Sequence, residues 1–255
     1  MSGWALRASF GRELAEHAAF WFTLAVVAVV FLAWSLPATL LRWTLPVRRA
    51  ADTGEFMIMV GFRCLLALMR LTGIARTELG ALDALRDDGG IVIASNHPSL
   101  LDAVLVISRL PRVVCITKAE NWDNPFLGAG ARLAGYIRND SGHVLIRRAA
   151  ASLRDGRQLL IFPEGTRTVR APVGVLKGGF ALMARAAGAP VQTVLIDIDS
   201  PFLGKGWPFF RKPAFPITYR VRLGRRFNVE GSAAAFAAEL EAYFRDELTR
   251  SPIQA

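Results

Sequence analysis

Residues 95–102 read Ser-Asn-His-Pro-Ser-Leu-Leu-Asp. They follow a short apolar run, 91–95, and open a second one, so they form a strand-to-helix turn, where α/β sheets place their sites. Imidazole titrates near pH ~6.5, so His97 is a candidate proton acceptor. If a carboxylate holds one ring nitrogen, the other can take a proton from a hydroxyl. Pro98 suits a first helical turn, and the spacing can return Asp102 towards His97. This is the histidine–carboxylate half of a triad, with the attacking hydroxyl supplied by the substrate. The same residues also read as a plain helix start, in which Asp102 caps amides and favours the helix dipole. His17 flanks an apolar run and His143 lies in a polar loop; neither has a comparable setting.

A second stretch, Phe162-Pro163-Glu164-Gly165-Thr166-Arg167, follows the apolar run 159–162. Gly165 lets backbone approach a ligand closely. Arg167 offers a planar fork suited to phosphate, Thr166 a hydroxyl, and Glu164 an acceptor for a substrate hydroxyl. Taken alone, the stretch also reads as a solvated turn carrying both signs of charge.

The elements that must hold these turns alternate. Strands are expected at 91–95, 112–117, 159–162, 190–198 and 217–223. Helices are expected at 100–110, 143–154, 176–187 and 232–249, with a helix or loop at 125–134. Alternation of this kind implies an α/β fold: a mainly parallel or mixed central sheet flanked by helices. No glycine-rich nucleotide loop follows a strand, and no Gly-x-Ser-x-Gly elbow surrounds Ser95, Ser99 or Ser141, so nucleotide-fold and triad-hydrolase readings lose their main support.

The N-terminal part differs. Residues 18–41 are 24 positions without a formal charge, about 36 Å as a helix against a hydrocarbon core ~30 Å thick. Trp21 and Trp43 stand near its ends; Arg42, Arg48 and Arg49 follow it, while Arg7 and Arg12 are offset by Glu13 and Glu16. The basic bias places the C-terminal side in the cytoplasm. Pro37 either kinks a spanning helix or ends one that dips into a single leaflet. A cleaved signal peptide would have a shorter apolar region and a small-residue cleavage site. Residues 55–74 place Arg63 and Arg70 on one helical face, as in an interfacial helix or a core-docking one. The chain thus divides into a membrane-associated helical region, 1–74, and an α/β domain, 75–255.

Composition agrees. Of 255 residues, 53% are hydrophobic and 20% charged, and the net charge is +10. Mean hydropathy is +0.33. Disorder is excluded for most of the chain, and an anionic membrane surface suits it better than nucleic acid, for which no recognition motif is present. Residues 200–229 carry Lys205, Arg211, Lys212, Arg220, Arg222, Arg225 and Arg226 without an acid, interleaved with Phe202, Trp207, Phe209, Phe210 and Phe215. Such a patch fits lipid headgroups or an acidic carrier protein. Cys64 and Cys115 lie in apolar runs and read as buried packing residues, and no metal-ligand spacing occurs.

The pair Asn-His-x4-Asp and Phe-Pro-Glu-Gly-Thr-Arg, each after a strand, resembles the lysophospholipid acyltransferase family, best known for 1-acylglycerol-3-phosphate acyltransferases. The resemblance covers about residues 75–225. It implies transfer of a fatty acyl group from acyl-CoA or acyl-carrier protein, a co-substrate rather than a bound cofactor, to a hydroxyl of a membrane lipid. His97 would be the base and Asp102 its support; Glu164, Gly165, Thr166 and Arg167 would bind the acceptor, first of all 1-acylglycerol-3-phosphate. The family's arginine block matches Gly135-Tyr136-Ile137-Arg138-Asn139-Asp140, which makes Arg138 a phosphate ligand, although many relatives carry a charged residue where Ile137 stands. That departure keeps open a different lipid or carrier-bound acceptor. Lys118 in Lys118-Ala119-Glu120 looks like the family's lysine segment and is a pocket candidate. Residues 189–194 match a further apolar block with Pro190. No metal is implied. The resemblance and the N-terminal charge bias together imply an inner-membrane protein with its α/β domain in the cytoplasm. A protein of this fold that binds membrane lipid without turnover is the competing reading.

Overall fold

The central strand is β2, Val92–Ser95, buried along its whole length. Full burial on both faces is what a short uninterrupted apolar run predicts. Its neighbours are β5 (Gln158–Ile161) on one side and β6 (Val191–Ile198) on the other, both parallel, with Val92 opposite Leu159 and Val191. Beyond β5 lie β3 (Val113–Thr117) and the two-residue β4 (Ile137–Arg138). Beyond β6 lie β7 (Ile217–Phe227), antiparallel to it, and β1 (Ala75–Glu78), parallel to β7. The seven strands make one mixed sheet in the order β1-β7-β6-β2-β5-β3-β4. The computed structural model describes residues 3–140 and 142–250, without the side chains of 3–9 and 127; the Arg7 side chain and Ser141 lie outside the described residues.

Successive strand residues point to opposite faces. Ile93 joins one core with Leu82, Leu105, Leu160 and Tyr219, covered by the N-terminal helices. Val92 and Ala94 join the other, with Phe180, Phe236 and Phe244, covered by α6 (His143–Arg154), α7 (Gly179–Ala187) and α8 (Ala233–Arg250). Three shorter helices complete the domain: α3 (Asp102–Ile107), α4 (Ala119–Asp123) and α5 (Leu127–Leu133), with a 3₁₀ turn at Gly80–Leu85. The sequence reading missed β1 and β4, both edge strands, and ended β7 four residues early; Arg225 and Arg226 there face solvent and break the apolar alternation.

The N-terminal region is a helical hairpin. Helix α1 runs from Gly3 to Thr44, and Pro37 does not end it. Residues Phe10–Thr44 are long and apolar enough to cross a membrane, with a window of mean hydropathy 2.3. Yet α1 lies along the domain. Lys212 reaches Glu16 at 2.7 Å, Phe20 packs against Phe202 and Phe215, and Ala38 packs with Ala129 and Leu133. Helix α2 (Val47–Leu71) returns beside it and is fastened by Arg157, which pairs with Glu55 and, at 2.9 Å, with Asp52. Burial of Glu55 pushes its carboxyl up to about 7 despite that guanidinium. Gly54 lets α2 pass close to the end of α5 (Leu127–Leu133): a Cβ there would meet the Ala134 backbone at 2.5 Å. The helices leave a 460 Å³ apolar groove lined by Val27, Phe31, Met57, Leu68 and Phe126. Cys64 lines it too and is exposed, which corrects the expectation that it is buried: its side of α2 faces the groove, not the sheet. Cys115, half-buried on β3, has its thiol pushed up to about 12 by burial and packs as expected.

Candidate active site

Four turns leave the carboxyl ends of neighbouring parallel strands, so the predicted residues line up along one sheet edge. His97 follows β2, Glu164–Arg167 follows β5, Lys118 follows β3, and Arg138 sits on β4 opposite Thr117. With strands ~4.8 Å apart, β2 to β4 spans about 14 Å. The predicted residues are thus spread along an edge rather than gathered at a single point.

The turn after β2 is held from below. The Asn96 amide nitrogen donates to the Ile196 carbonyl and its oxygen accepts from Ile196 N–H, both at 2.8 Å. This two-way bond ties β2 to β6 one residue before His97. Helix α3 then begins at Asp102, later than position 100, because 98–101 form the turn itself. Asp102 Oδ2 accepts from His97 Nδ1 at 2.7 Å and from Ser99 N–H at 2.8 Å. Asp102 is completely buried, and the His97 side chain keeps 15% of its surface. Burial raises the Asp102 carboxyl to about 6; the imidazole and the Ser99 amide pull the other way. Its second oxygen, Oδ1, is buried without a partner among the described residues. The ring of His97 lies flat on Phe162, centroids 3.8 Å apart and 16° between planes. One nitrogen is bound by a carboxylate and the ring is fixed by stacking, so Nε2 is presented with its lone pair free once Nδ1 carries the proton.

Glu164 does something other than the sequence suggested. It is buried, and both its oxygens are occupied. Oε1 accepts from His97 N–H at 3.3 Å and from the Thr168 hydroxyl at 2.7 Å; Oε2 accepts from Gly174 N–H at 2.9 Å. Thr168 N–H in turn donates to the His97 carbonyl at 2.7 Å. Glu164 therefore locks the β5 turn to the backbone of the histidine. Gly165 has φ +70°, a left-handed conformation that favours glycine, and a Cβ there would meet the Lys177 side chain at 2.9 Å. Arg167 donates through Nη1 to the carbonyls of Leu203 at 2.8 Å and Gly204 at 2.9 Å. Thr166 accepts from Lys205 Nζ at 3.1 Å. Arg138 is paired with Asp140 and, at 2.8 Å, with Asp123, so two carboxylates already offset its charge. Lys118 is exposed at the head of α4 and makes no ion pair among the described residues.

Five of the seven cations of the basic stretch 200–229 are likewise committed to carboxylates. Arg220 pairs with Glu78, Arg222 with Asp197, Arg225 with Glu239, Arg226 with Asp88, and Lys212 with Glu16. A run without acids in sequence meets its acids in space, from β1, β6, α8, the turn before β2, and α1. Lys205 and Arg211 are left, and both border a 660 Å³ cleft that also touches Asn96, Pro98, Thr168 and Trp207. Asn96, Phe162 and Thr168 support the site without having been assigned a role from the sequence; all three lie within or beside the two motifs, which is the signal that could have found them.

Comparison with known proteins agrees with this architecture. Residues 76–197 match the family model described as Acyltransferase. A lyso-ornithine lipid O-acyltransferase of Pseudomonas aeruginosa is 36% identical over 122 residues, 43% of this chain and 47% of the relative, so the match spans about half of that protein's length. A 1-acyl-sn-glycerol-3-phosphate acyltransferase of the same organism is 26% identical over 211 residues, 78% of this chain and 80% of the relative. The crystal structure of the 1-acyl-sn-glycerophosphate acyltransferase PlsC of Thermotoga maritima superposes with a TM-score of 0.68, covering 95% of this chain and 98% of that one at 19% identity. The shared fold is therefore not confined to the motifs.

Proposed function

We propose, for a chain whose residues 76–197 match the acyltransferase family model, that it transfers a fatty acyl group from an acyl thioester to the free hydroxyl of a lysophospholipid, 1-acylglycerol-3-phosphate in the first instance. The observation that carries this is the His97 Nδ1–Asp102 Oδ2 bond of 2.7 Å, which leaves Nε2 free on the edge that also holds the Glu-Gly-Thr-Arg turn.

In this reading Nε2 takes the acceptor's hydroxyl proton as the oxygen attacks the thioester carbonyl carbon. Asp102 stabilises the imidazolium that forms. The C–S bond of the tetrahedral intermediate then breaks, the imidazolium protonates the departing thiolate, and an ester and a free thiol result. No covalent enzyme intermediate is required. The acceptor's headgroup would lie along the edge from His97 towards Lys118, whose ammonium is uncommitted, while Arg138 would have to exchange a carboxylate for phosphate. Glu164 and Arg167 act here through the backbone they hold. The helical hairpin would sink its apolar side into one leaflet, because α1 is docked along the domain instead of standing away from it. The site would then sit at the headgroup level, and the basic residues that follow the apolar run support an inner membrane with the domain on the cytoplasmic side.

The test is a donor-by-acceptor matrix with the purified full chain in vesicles. Acyl-CoA and acyl-carrier protein are each offered 1-acylglycerol-3-phosphate, lyso-ornithine lipid and neutral lysolipids, and products are identified by mass spectrometry. Acylated product in the 1-acylglycerol-3-phosphate column supports the proposal; product only with another acceptor replaces that acceptor, and no product in any cell favours a lipid-binding role.

A further inference from the structure

The segment between β6 and β7 carries features that the acyl-transfer step does not use. Phe209 and Phe210 are 49% and 68% exposed. Phe210 stacks on Trp21 of α1, centroids 6.0 Å apart and 14° between planes, and Phe209 meets Phe210 edge-on at 5.2 Å. Trp21 and its neighbour Phe22 are half-exposed as well. These rings form one patch continuous with the outer apolar side of α1. Its position matters: Trp21 stands where α1 changes from the charged stretch containing Arg12, Glu13 and Glu16 to the charge-free run 18–41. In a bilayer that accepts this run, that level is the water–hydrocarbon boundary, where amphipathic aromatics gather.

Cations stand beside the rings. Arg211 lies over the Trp207 ring at 5.1 Å, and neither it nor Lys205 has a carboxylate partner among the described residues, whereas Lys212 is committed to Glu16. The inner end of the same loop is fastened to the catalytic turn. Ser99 donates its hydroxyl to the Phe202 carbonyl at 3.0 Å, Leu100 N–H donates to the Leu203 carbonyl at 3.0 Å, and Arg167 binds the carbonyls of Leu203 and Gly204.

We propose that residues 205–212 form a second membrane contact, in the α/β domain itself, which seats Phe209 and Phe210 among lipid headgroups and sets Arg211 and Lys205 against lipid phosphates. The inference rests on the membrane residence argued above. The occupant is the anionic headgroup layer and not an acidic carrier protein, because the patch is continuous with the apolar side of α1 and level with its boundary; a soluble partner would have to enter the plane of the membrane to cover it. The hydrogen bonds at the loop's inner end then fix the height of His97 above the lipid surface.

A polarity-sensitive thiol label at Phe210→Cys tests this, in the full chain with Cys64→Ser and, at the half-buried position, Cys115→Ala. A second label at Ala238→Cys, on exposed α8 across the sheet from the N-terminal helices, is the control. Each protein is bound to vesicles of phosphatidylcholine with phosphatidylglycerol, and separately of phosphatidylcholine alone. The label at 210 is expected to shift to the blue, to lose access to aqueous iodide, and to be quenched by headgroup-region spin-labelled lipid; the label at 238 stays open to iodide. Adding Arg211→Glu replaces an attracted charge by a repelled one and lowers protection at 210 about tenfold or more on the anionic vesicles only. A label at 210 that remains open to iodide while the protein sediments with vesicles overturns this contact and leaves the membrane reading standing. Failure to sediment overturns both. Protection at 210 by acyl-carrier protein without vesicles overturns the lipid assignment.

Discussion

Replacing Asp102 by asparagine separates two roles that a histidine-bound carboxylate can have. In this site the oxygen that accepts from His97 Nδ1 also accepts from Ser99 N–H, at 2.7 and 2.8 Å. Two donors converge on one oxygen, so the amide of Asp102→Asn is held with its own oxygen there and its NH2 group at the Oδ1 position. The histidine tautomer is thereby preserved. What is lost is the negative charge opposite the imidazolium. At an effective dielectric constant of ~20 and about 4 Å between charge centres, that attraction is about 4 kcal/mol, which converts to about 10³-fold in kcat/KM. The NH2 group enters a buried spot where Oδ1 has no partner, at a cost of about 1–3 kcal/mol in stability. This is offset in part because the parent's buried carboxyl is itself raised to about 6. Steady-state acyl transfer with parent and variant, beside thermal unfolding of both in the same detergent, gives the two quantities. A variant that unfolds near the parent's temperature and works within tenfold of it would refute the reasoning, since the carboxylate's charge would then not be felt in the rate-limiting step.

The rate should fall on acidification through about pH 6, as the Asp102 carboxyl takes up its proton and stops supporting the imidazolium; a pH–rate profile flat from 7 to 5 would contradict this. Stability should move the other way: Asp102 and Glu55 have folded values above their unfolded ones, so their penalty is present at neutral pH and is relieved as pH falls from about 7 towards 4, and unfolding temperatures should rise over that window. Glu164→Gln must turn its NH2 group towards one of three donors, so about 2 kcal/mol of stability and most activity should go, with Gly174→Ala producing a similar loss through its Cβ 2.7 Å from Oε2. Asn96→Ala removes both bonds to Ile196 and should cost about 2 kcal/mol in denaturant unfolding.

What the sequence disclosed, it disclosed through short-range rules. Strands β2, β5 and β6 are buried on both faces, so their segments are mostly apolar, though Gln192, Thr193 and Asp197 interrupt β6, and their order of alternation with helices implied the mixed sheet. His97 and Asp102 were legible because the pair closes across one short turn, 98–101. Partners distant in sequence were not. Glu164 looked like a free acceptor because its three donors come from positions 97, 168 and 174, and no local pattern says that the chain returns there. The arginines of β7 looked like a surface field because their carboxylates come from elements up to 142 positions away. The docking of α1 along the domain was hidden for the same reason: its contacts are with residues 129–133 and 202–215, while hydropathy reports only that it is apolar.

The central claim is that the imidazole of His97 removes the acceptor's proton. The most direct measurement is single-turnover acyl transfer by His97→Ala in vesicles, with binding of 1-acylglycerol-3-phosphate measured on the same preparation. The account predicts that the folded variant still binds the lysolipid but forms no ester above the uncatalysed rate; ester formation by that variant at a rate near the parent's would contradict it.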